Sequence, residues 1–376
     1  MSIPPRPASS RRRLIVLALL LVAVVVSAIF FGPHVTYLVK KALRPPDTVI
    51  VPRETSVMFS LDLERLRGTL MWNELLQFFM KSSTDADAAF KNLEKGTGFN
   101  PLEDVDTVVG AYPRLDVGSL AEFGLVMHGK PIKPDRLEAW SRGKLKEDNK
   151  ELLSRDYNGH KLLWDSAKPS LVATFDGDGT VLLGGDKWIE QMIDLESRPA
   201  KAPPDAVVPL LAKVKRDWVF WGAGPIPEFV RAKIRADGNF PTAASMTAAY
   251  LSVDFEGGVK VAGGAVLGST NDAIALVTQL RALQDALKGS EQAQAAGLVR
   301  YIEDIKLDSQ GAEVTLDINL SQERVDDLVQ RAKAFLNKPH APLPTELPLQ
   351  SAAPPQLPSL TPRPNPVQGG TGSSPP

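Results

Sequence analysis

The sequence predicts an α+β fold: antiparallel hairpins with helices packed on one face, in two related halves, after an N-terminal transmembrane helix. Three observations carry that expectation. Residues 14–31 form an uncharged apolar run behind a cluster of arginines. Downstream, short runs rich in Val, Leu and Phe meet at Gly-containing turns, the mark of hairpins. After the hairpins come stretches with apolar residues three and four apart, the period of an amphipathic helix.

The N-terminus is read first. Arg6, Arg11, Arg12 and Arg13 precede Leu14–Phe31, a run interrupted only by Ser27. As a helix this run reaches about 27 Å, close to the roughly 30 Å of a bilayer's hydrocarbon core. A buried core helix of that length would carry a polar stripe, and this run has none. Val26-Ser27-Ala28 resembles a signal-peptidase site, but cleavage there would leave Ile29-Phe30-Phe31 at a new terminus. Ser10-Arg11-Arg12 resembles a twin-arginine signal, whose apolar stretch is usually less greasy. An uncleaved anchor over 14–32 is the leading reading. Four arginines before the run against Lys40, Lys41 and Arg44 after it place residues 1–13 in the cytoplasm and the bulk outside it. The expected setting is the inner membrane, single-pass, held through residues 14–32, with a protein partner in the envelope.

A linker over 33–47 ends at Arg44-Pro45-Pro46-Asp47. The first half, 48–196, opens with a strand in 49–63 and a helix capped by Asp62 through "LERLRGTLMWNELLQFFM". A second helix spans 85–95, between Thr84 and Gly96, and strands follow at 105–112 and 122–129. Pro134 introduces a charged helix over 135–146 with Leu137 and Trp140 turned inward. Asn158-Gly159 between two strand-like runs is the strongest short hairpin signal in the chain. A helix starts at Asp186, and a Pro-rich joint covers 197–209. The second half, 210–336, repeats the grammar: the strand "DWVFWGAG", the helix "PEFVRAKIRA", a hairpin over 248–268, a helix near 271–288, a hairpin over 305–320 and a helix at 322–336. In the last, Val325, Leu328, Val329, Ala332, Phe335 and Leu336 keep one apolar stripe. Roughly a third of residues 337–376 are proline, so this tail is expected to be disordered.

Composition narrows the chemistry. Lys+Arg 43 against Asp+Glu 44 gives a net charge of −1, so no basic field advertises nucleic acid. The absence of cysteine removes disulfides, thiolate metal sites and a cysteine nucleophile. His34, His128, His160 and His340 show no H-x-H or H-E-x-x-H spacing, so neither a metal nor a cofactor is expected. Trp72, Trp140, Trp164, Trp188, Trp218 and Trp221 fall mostly on apolar faces and read as core.

The sharpest candidate is "LVATFDGDGTVLLGG", residues 171–185. It resembles the strand end on which haloacid-dehalogenase-type phosphatases present a nucleophilic Asp and a partner acid, here Asp176 and Asp178. That family uses a parallel strand and a downstream Ser/Thr, Lys and Gly-Asp set. The Gly-Asp pair here, Gly185-Asp186 with Glu190, follows too soon and reads as a helix cap. A calcium loop fails as well, since its twelfth position falls on Lys187. Three turn slots carry DGDG, EGG and SQG in turn: the glycine stays while the carboxylates change, as a hairpin requires. "FWGAGPIPEFV" imitates a dinucleotide fingerprint, but Pro225 and Pro227 stand where N–H groups and a third glycine are needed. Ser141-x-x-Lys144 matches the start of the penicillin-binding set without its Lys-Thr-Gly, and reads as a solvated helix face.

"FSLDLERLRGTLMWNELL", "LEKGTGFNPLEDVDTVV" and "TVLLGGDKWIEQMI" together resemble a family of membrane-anchored or exported bacterial proteins built from repeated α+β units. The resemblance covers about 48–195, rests on structural motifs and implies no activity. The leading expectation is a non-enzymatic binding or structural envelope role. The alternatives are a membrane-tethered phosphatase-like hydrolase using Asp176 and Asp178, and a periplasmic carrier of an apolar ligand.

Overall fold

The structure is a computed structural model and describes residues 47–73, 76, 84–113, 122–177, 179–238 and 240–336. The apolar run at 14–31, the linker up to residue 46 and the Pro-rich tail lie outside the described residues. Among the described residues no helix is long and apolar enough to cross a membrane.

Among the described residues a 3-10 turn at Asp47–Val49 precedes β1 (Val57–Asp62), α1 (Leu63–Arg67), α2 (Thr84–Thr97), α3 (Pro101–Asp104), β2 (Val105–Tyr112) and β3 (Gly124–Gly129). Next come α4 (Pro134–Glu147), β4 (Leu152–Tyr157), β5 (His160–Asp165), β6 (Val172–Phe175), β7 (Thr180–Gly184) and α5 (Asp186–Ser197). Then follow α6 (Val208–Leu211), β8 (Phe220–Pro225), α7 (Glu228–Asp237), β9 (Met246–Asp254), β10 (Gly258–Leu267) and α8 (Thr270–Gly289). The last are α9 (Glu291–Ala295), α10 (Val299–Glu303), β11 (Lys306–Gln310), β12 (Glu313–Ser321) and α11 (Gln322–Leu336).

Among the described residues all twelve strands join one sheet in the order β11-β12-β10-β9-β8-β1-β2-β3-β7-β6-β5-β4, and each pairing is antiparallel. β1 sits near the middle: Leu61 faces Val108 of β2 on one side and Phe220 of β8 on the other. The two outermost strands carry polar residues outward, with Lys306, Asp308 and Gln310 exposed on β11 and Ser154 and Asp156 on β4. Such residues discourage pairing with a stray strand.

Local chemistry explains where the sequence expectations hold and where they shift. The strand expected over 49–63 is extended only from Val57, because the Pro52 carbonyl accepts from Thr55 N at 3.0 Å and closes a turn. Asp62 caps α1 as expected, its carboxylate accepting from Arg65 N at 2.8 Å. That helix does not run on unbroken: it stops at Gly68, whose N–H turns back to Arg65 O at 3.1 Å, and helical backbone resumes at Leu70. α2, α4, α5, α8 and α11 match their expected spans to within a turn.

One expectation is corrected. The helices do not all pack on one face. On β1, β3 and β7, Met58, Val126 and Leu182 point to a core that also holds Trp188, Ile189, Met192 and Ile193 of α5 and Leu210 and Leu211 of α6. Their neighbours Phe59, Leu125, Leu183 and Val181 point to a second core with Leu63 and Leu66 of α1, Leu93 of α2 and Leu137 of α4. The cause is legible in the strands: β3 and β7 are buried at every residue, so neither face can be left to water. Leu162 and Ile189 are 0% exposed, and burying each contributes about 2 kcal/mol.

On β12 the apolar residues Val314, Leu316, Ile318 and Leu320 all lie on one face. Leu267 and Val314 pack with Ala273, Leu276 and Val277 of α8, while Leu320 packs with Tyr301 of α10 and Val325 of α11. The opposite face of β12 carries Glu313, Thr315, Asp317 and Asn319, of which Asp317 and Asn319 are exposed.

Candidate functional site

The site follows from two hairpins and one helix. Asn158 and Gly159 adopt φ of 48° and 85°, the pair of positive values a type I′ turn needs, and so join β4 to β5. β5 meets β6 through Leu163↔Ala173. Continuing that antiparallel register toward the start of β5 sets His160 opposite Asp176, the residue just past β6. The next turn joins β6 to β7: Gly179 N donates to Asp176 O at 2.8 Å, Asp176 N donates to Thr180 O at 3.0 Å, and Gly179 has φ 91°. The two bonds close the hairpin, and Gly179 takes the left-handed φ that its end requires. The strand ahead of Asp176 pairs antiparallel on both sides, unlike the parallel strand of the phosphatase arrangement. Asp178 lies outside the described residues.

α5 completes the site. Tyr157 Oη and Asn158 Nδ2 donate to the two oxygens of Asp194, at 3.0 and 2.7 Å, holding the β4–β5 turn against the helix's last turns. Arg155 on β4 donates to Asp186 Oδ1 and Glu190 Oε1, at 2.5 and 2.6 Å, so the acids that followed the DGDG segment serve as strand-to-helix ties. The result is a cleft of about 400 Å³ lined by His160, Asp176, Gly177, Ile193, Glu196 and Ser197.

In that cleft one donor atom from each of His160, Asp176 and Glu196 lies within 4.8 Å of the others, and all three residues are half-buried. His160 Nδ1 is 3.1 Å from Asp176 Oδ1. The ring nitrogen is shielded from water. With the imidazole protonated the contact is an ion pair. The Asp176 carboxylate beside it holds the imidazolium above the usual histidine range; burial opposes this, and the charge of Glu196 adds to it. Chemically the arrangement can hold a charged imidazolium against Asp176, or a cation among all three.

The other sequence candidates fall elsewhere. Ser141 is not on a solvated face: it is buried on α4 and donates to Leu137 O at 2.7 Å, while Lys144 pairs with Glu147. Gly222 and Gly224 lie within β8 rather than in a loop, and a Cβ on Gly224 would meet Val57 of β1 at 2.6 Å. The glycine there permits close strand packing, not phosphate binding. His128 is buried on β3, with Nδ1 3.4 Å from Thr180 Oγ1. His34 and His340 lie outside the described residues. Sequence reasoning passed over His160 and Glu196 because no motif spacing links them. The hint available was the register: Asn158-Gly159 fixes β5, Gly179 fixes the end of β6, and their pairing then sets His160 against Asp176.

No family model and no curated protein matches the chain. Among solved structures it is similar to TP0453 in crystal form I, at 11% identity and a TM-score of 0.39, over 78% of this chain and 99% of that one. It is likewise similar to TP0453 in crystal form III, at 12% identity and a TM-score of 0.41, over 78% of this chain and 100% of that one.

Proposed function

We propose that this is a single-pass membrane protein, anchored in the inner membrane by residues 14–32, whose α+β body lies outside the cytoplasm and has a non-enzymatic binding or structural role in the envelope. The observation that carries the reading is the arginine-led apolar run Leu14–Phe31, which has bilayer length and no polar stripe. We read β1–β7 and β8–β12 as two related halves that meet where β1 pairs with β8. The antiparallel turn at Asp176, whose carboxylate faces His160, supports a binding role over phosphoryl transfer. The open polar face of β12, with Asp317 and Asn319 exposed, offers an envelope partner a surface.

The experiment is fractionation of cells expressing the full chain, followed by protease treatment of spheroplasts. The expected result is a carbonate-resistant membrane protein whose body is digested from outside while residues 1–13 stay protected. A soluble mature form beginning near Ile29, or a body protected until lysis, would overturn the reading.

A further inference from the structure

We propose that His160, Asp176 and Glu196 form a binding site for a divalent transition-metal ion of the zinc class, joining the β5 start, the β6–β7 turn and the end of α5. This stands independently of where the protein resides.

The donors are of the right kind. One imidazole and two carboxylates supply a nitrogen and two charged oxygens, a set that suits Zn²⁺ and its borderline neighbours. An all-oxygen site would suit Ca²⁺ or Mg²⁺, and the imidazole argues against both. The charges match: two carboxylates neutralise one dication. The geometry is close to closed. In a tetrahedral zinc site the ligands stand about 2.0–2.1 Å from the metal, so neighbouring donors are about 3.3 Å apart. His160 and Asp176 already meet that spacing at 3.1 Å, and the three donors together span no more than 4.8 Å. The remaining contraction is roughly 1.5 Å, within reach of a carboxylate side chain changing rotamer.

The start of β5, the β6–β7 turn and the end of α5 supply one ligand each, and glycines of positive φ at 159 and 179 help fix the first two. The cleft of about 400 Å³ leaves room for water in a fourth position. The His160–Asp176 contact also fits: at 3.1 Å the two atoms are near enough to share a cation.

The test uses the full chain in detergent, stripped with chelator and titrated with ZnCl₂ by calorimetry, with melting as a second readout. Wild type is expected to bind one zinc at this site, to melt higher as zinc rises, and to release protons below neutral pH, so that the heat depends on the buffer. His160→Gln and Glu196→Gln should each weaken this binding by roughly tenfold or more, since even outer-shell losses cost 10–100-fold. Both variants should abolish the zinc-dependent rise in melting. Glu196→Gln, a near-isosteric change at a helix end, keeps the test decisive if His160→Gln fails to fold. No zinc binding at about 100 µM, far weaker than structural zinc sites, overturns the proposal. Binding that both folded variants retain places the ion elsewhere and overturns it equally.

Discussion

Exchanging the two glycines of the Asp176–Gly179 turn for valine, one at a time, should give opposite results. Gly179 holds φ 91°, where an L-residue with a branched β-carbon is strained by about 1–3 kcal/mol. The chain can avoid that strain by opening the turn, but this gives up the Gly179 N to Asp176 O and Asp176 N to Thr180 O bonds. Those are worth about 1 kcal/mol each. The cheaper route wins, so Gly179→Val should cost about 2 kcal/mol. Gly177 has no left-handed φ, and a Cβ built on it meets nothing within 4 Å. Gly177→Val should therefore stay within about 0.5 kcal/mol of wild type. Gly179→Asn serves as a partial rescue, because Asn populates the left-handed region more readily. The assay is thermal and urea unfolding of the purified full chain followed by circular dichroism. For a body of this size the expected fall in midpoint for Gly179→Val is on the order of 4 °C. Equal losses at both positions, or a larger one at Gly177, would refute the turn geometry on which the site rests.

Two further outcomes follow from packing and charge. Gly184→Ala places a Cβ against the Phe123 carbonyl oxygen and 3.0 Å from Gly124 Cα, contacts with backbone that cannot swing away; unfolding should show a loss of about 2 kcal/mol, and an unchanged midpoint would contradict the β3–β7 approach. Burial pushes the Glu313 carboxyl up, but hydrogen bonds from Lys213 and the Tyr250 hydroxyl outweigh it and hold the group below its ordinary value. A depressed carboxylate stabilises the fold above its unfolded pKa of about 4.3, and that contribution is lost as pH falls through the folded value. Glu313→Gln should accordingly flatten the acid side of a melting-versus-pH profile, and curves of the same shape for both proteins would count against the pairing.

The sequence showed local conformation well and long-range arrangement poorly. Asn158-Gly159 and Gly179 announce their turns because only a few residue types tolerate those backbone angles. α1 behind the Asp62 cap, which accepts from Arg65 N at 2.8 Å, and α4 starting at Pro134 announce themselves through capping chemistry. Ser141 was misread because its neighbours are charged, whereas a hydroxyl bonded to the carbonyl four residues back can be buried. The second layer of helices was missed because α1, α2 and α4 declare an apolar face without declaring which side of the sheet receives it. The His160–Asp176–Glu196 cluster depends on one strand register and one helix docking, neither of which is encoded in adjacent residues.

The position of β1 has a bearing on how the chain reaches this state during synthesis. Its first edge is satisfied by β2 about fifty residues later, through pairs such as Asp62↔Thr107. Its second edge waits for Phe220, roughly 160 residues after Leu61. At typical translation rates of about 5–20 residues per second, that interval is on the order of ten seconds. Throughout it, the backbone N–H and C=O groups of residues 58–61 that later meet β8 have no strand to bond. Closing so long a loop is slow compared with forming the hairpins on either side. A nascent or truncated chain ending before Phe220 therefore exposes an open strand edge from the middle of the finished sheet, where the equivalent strand of a second copy could pair in place of β8.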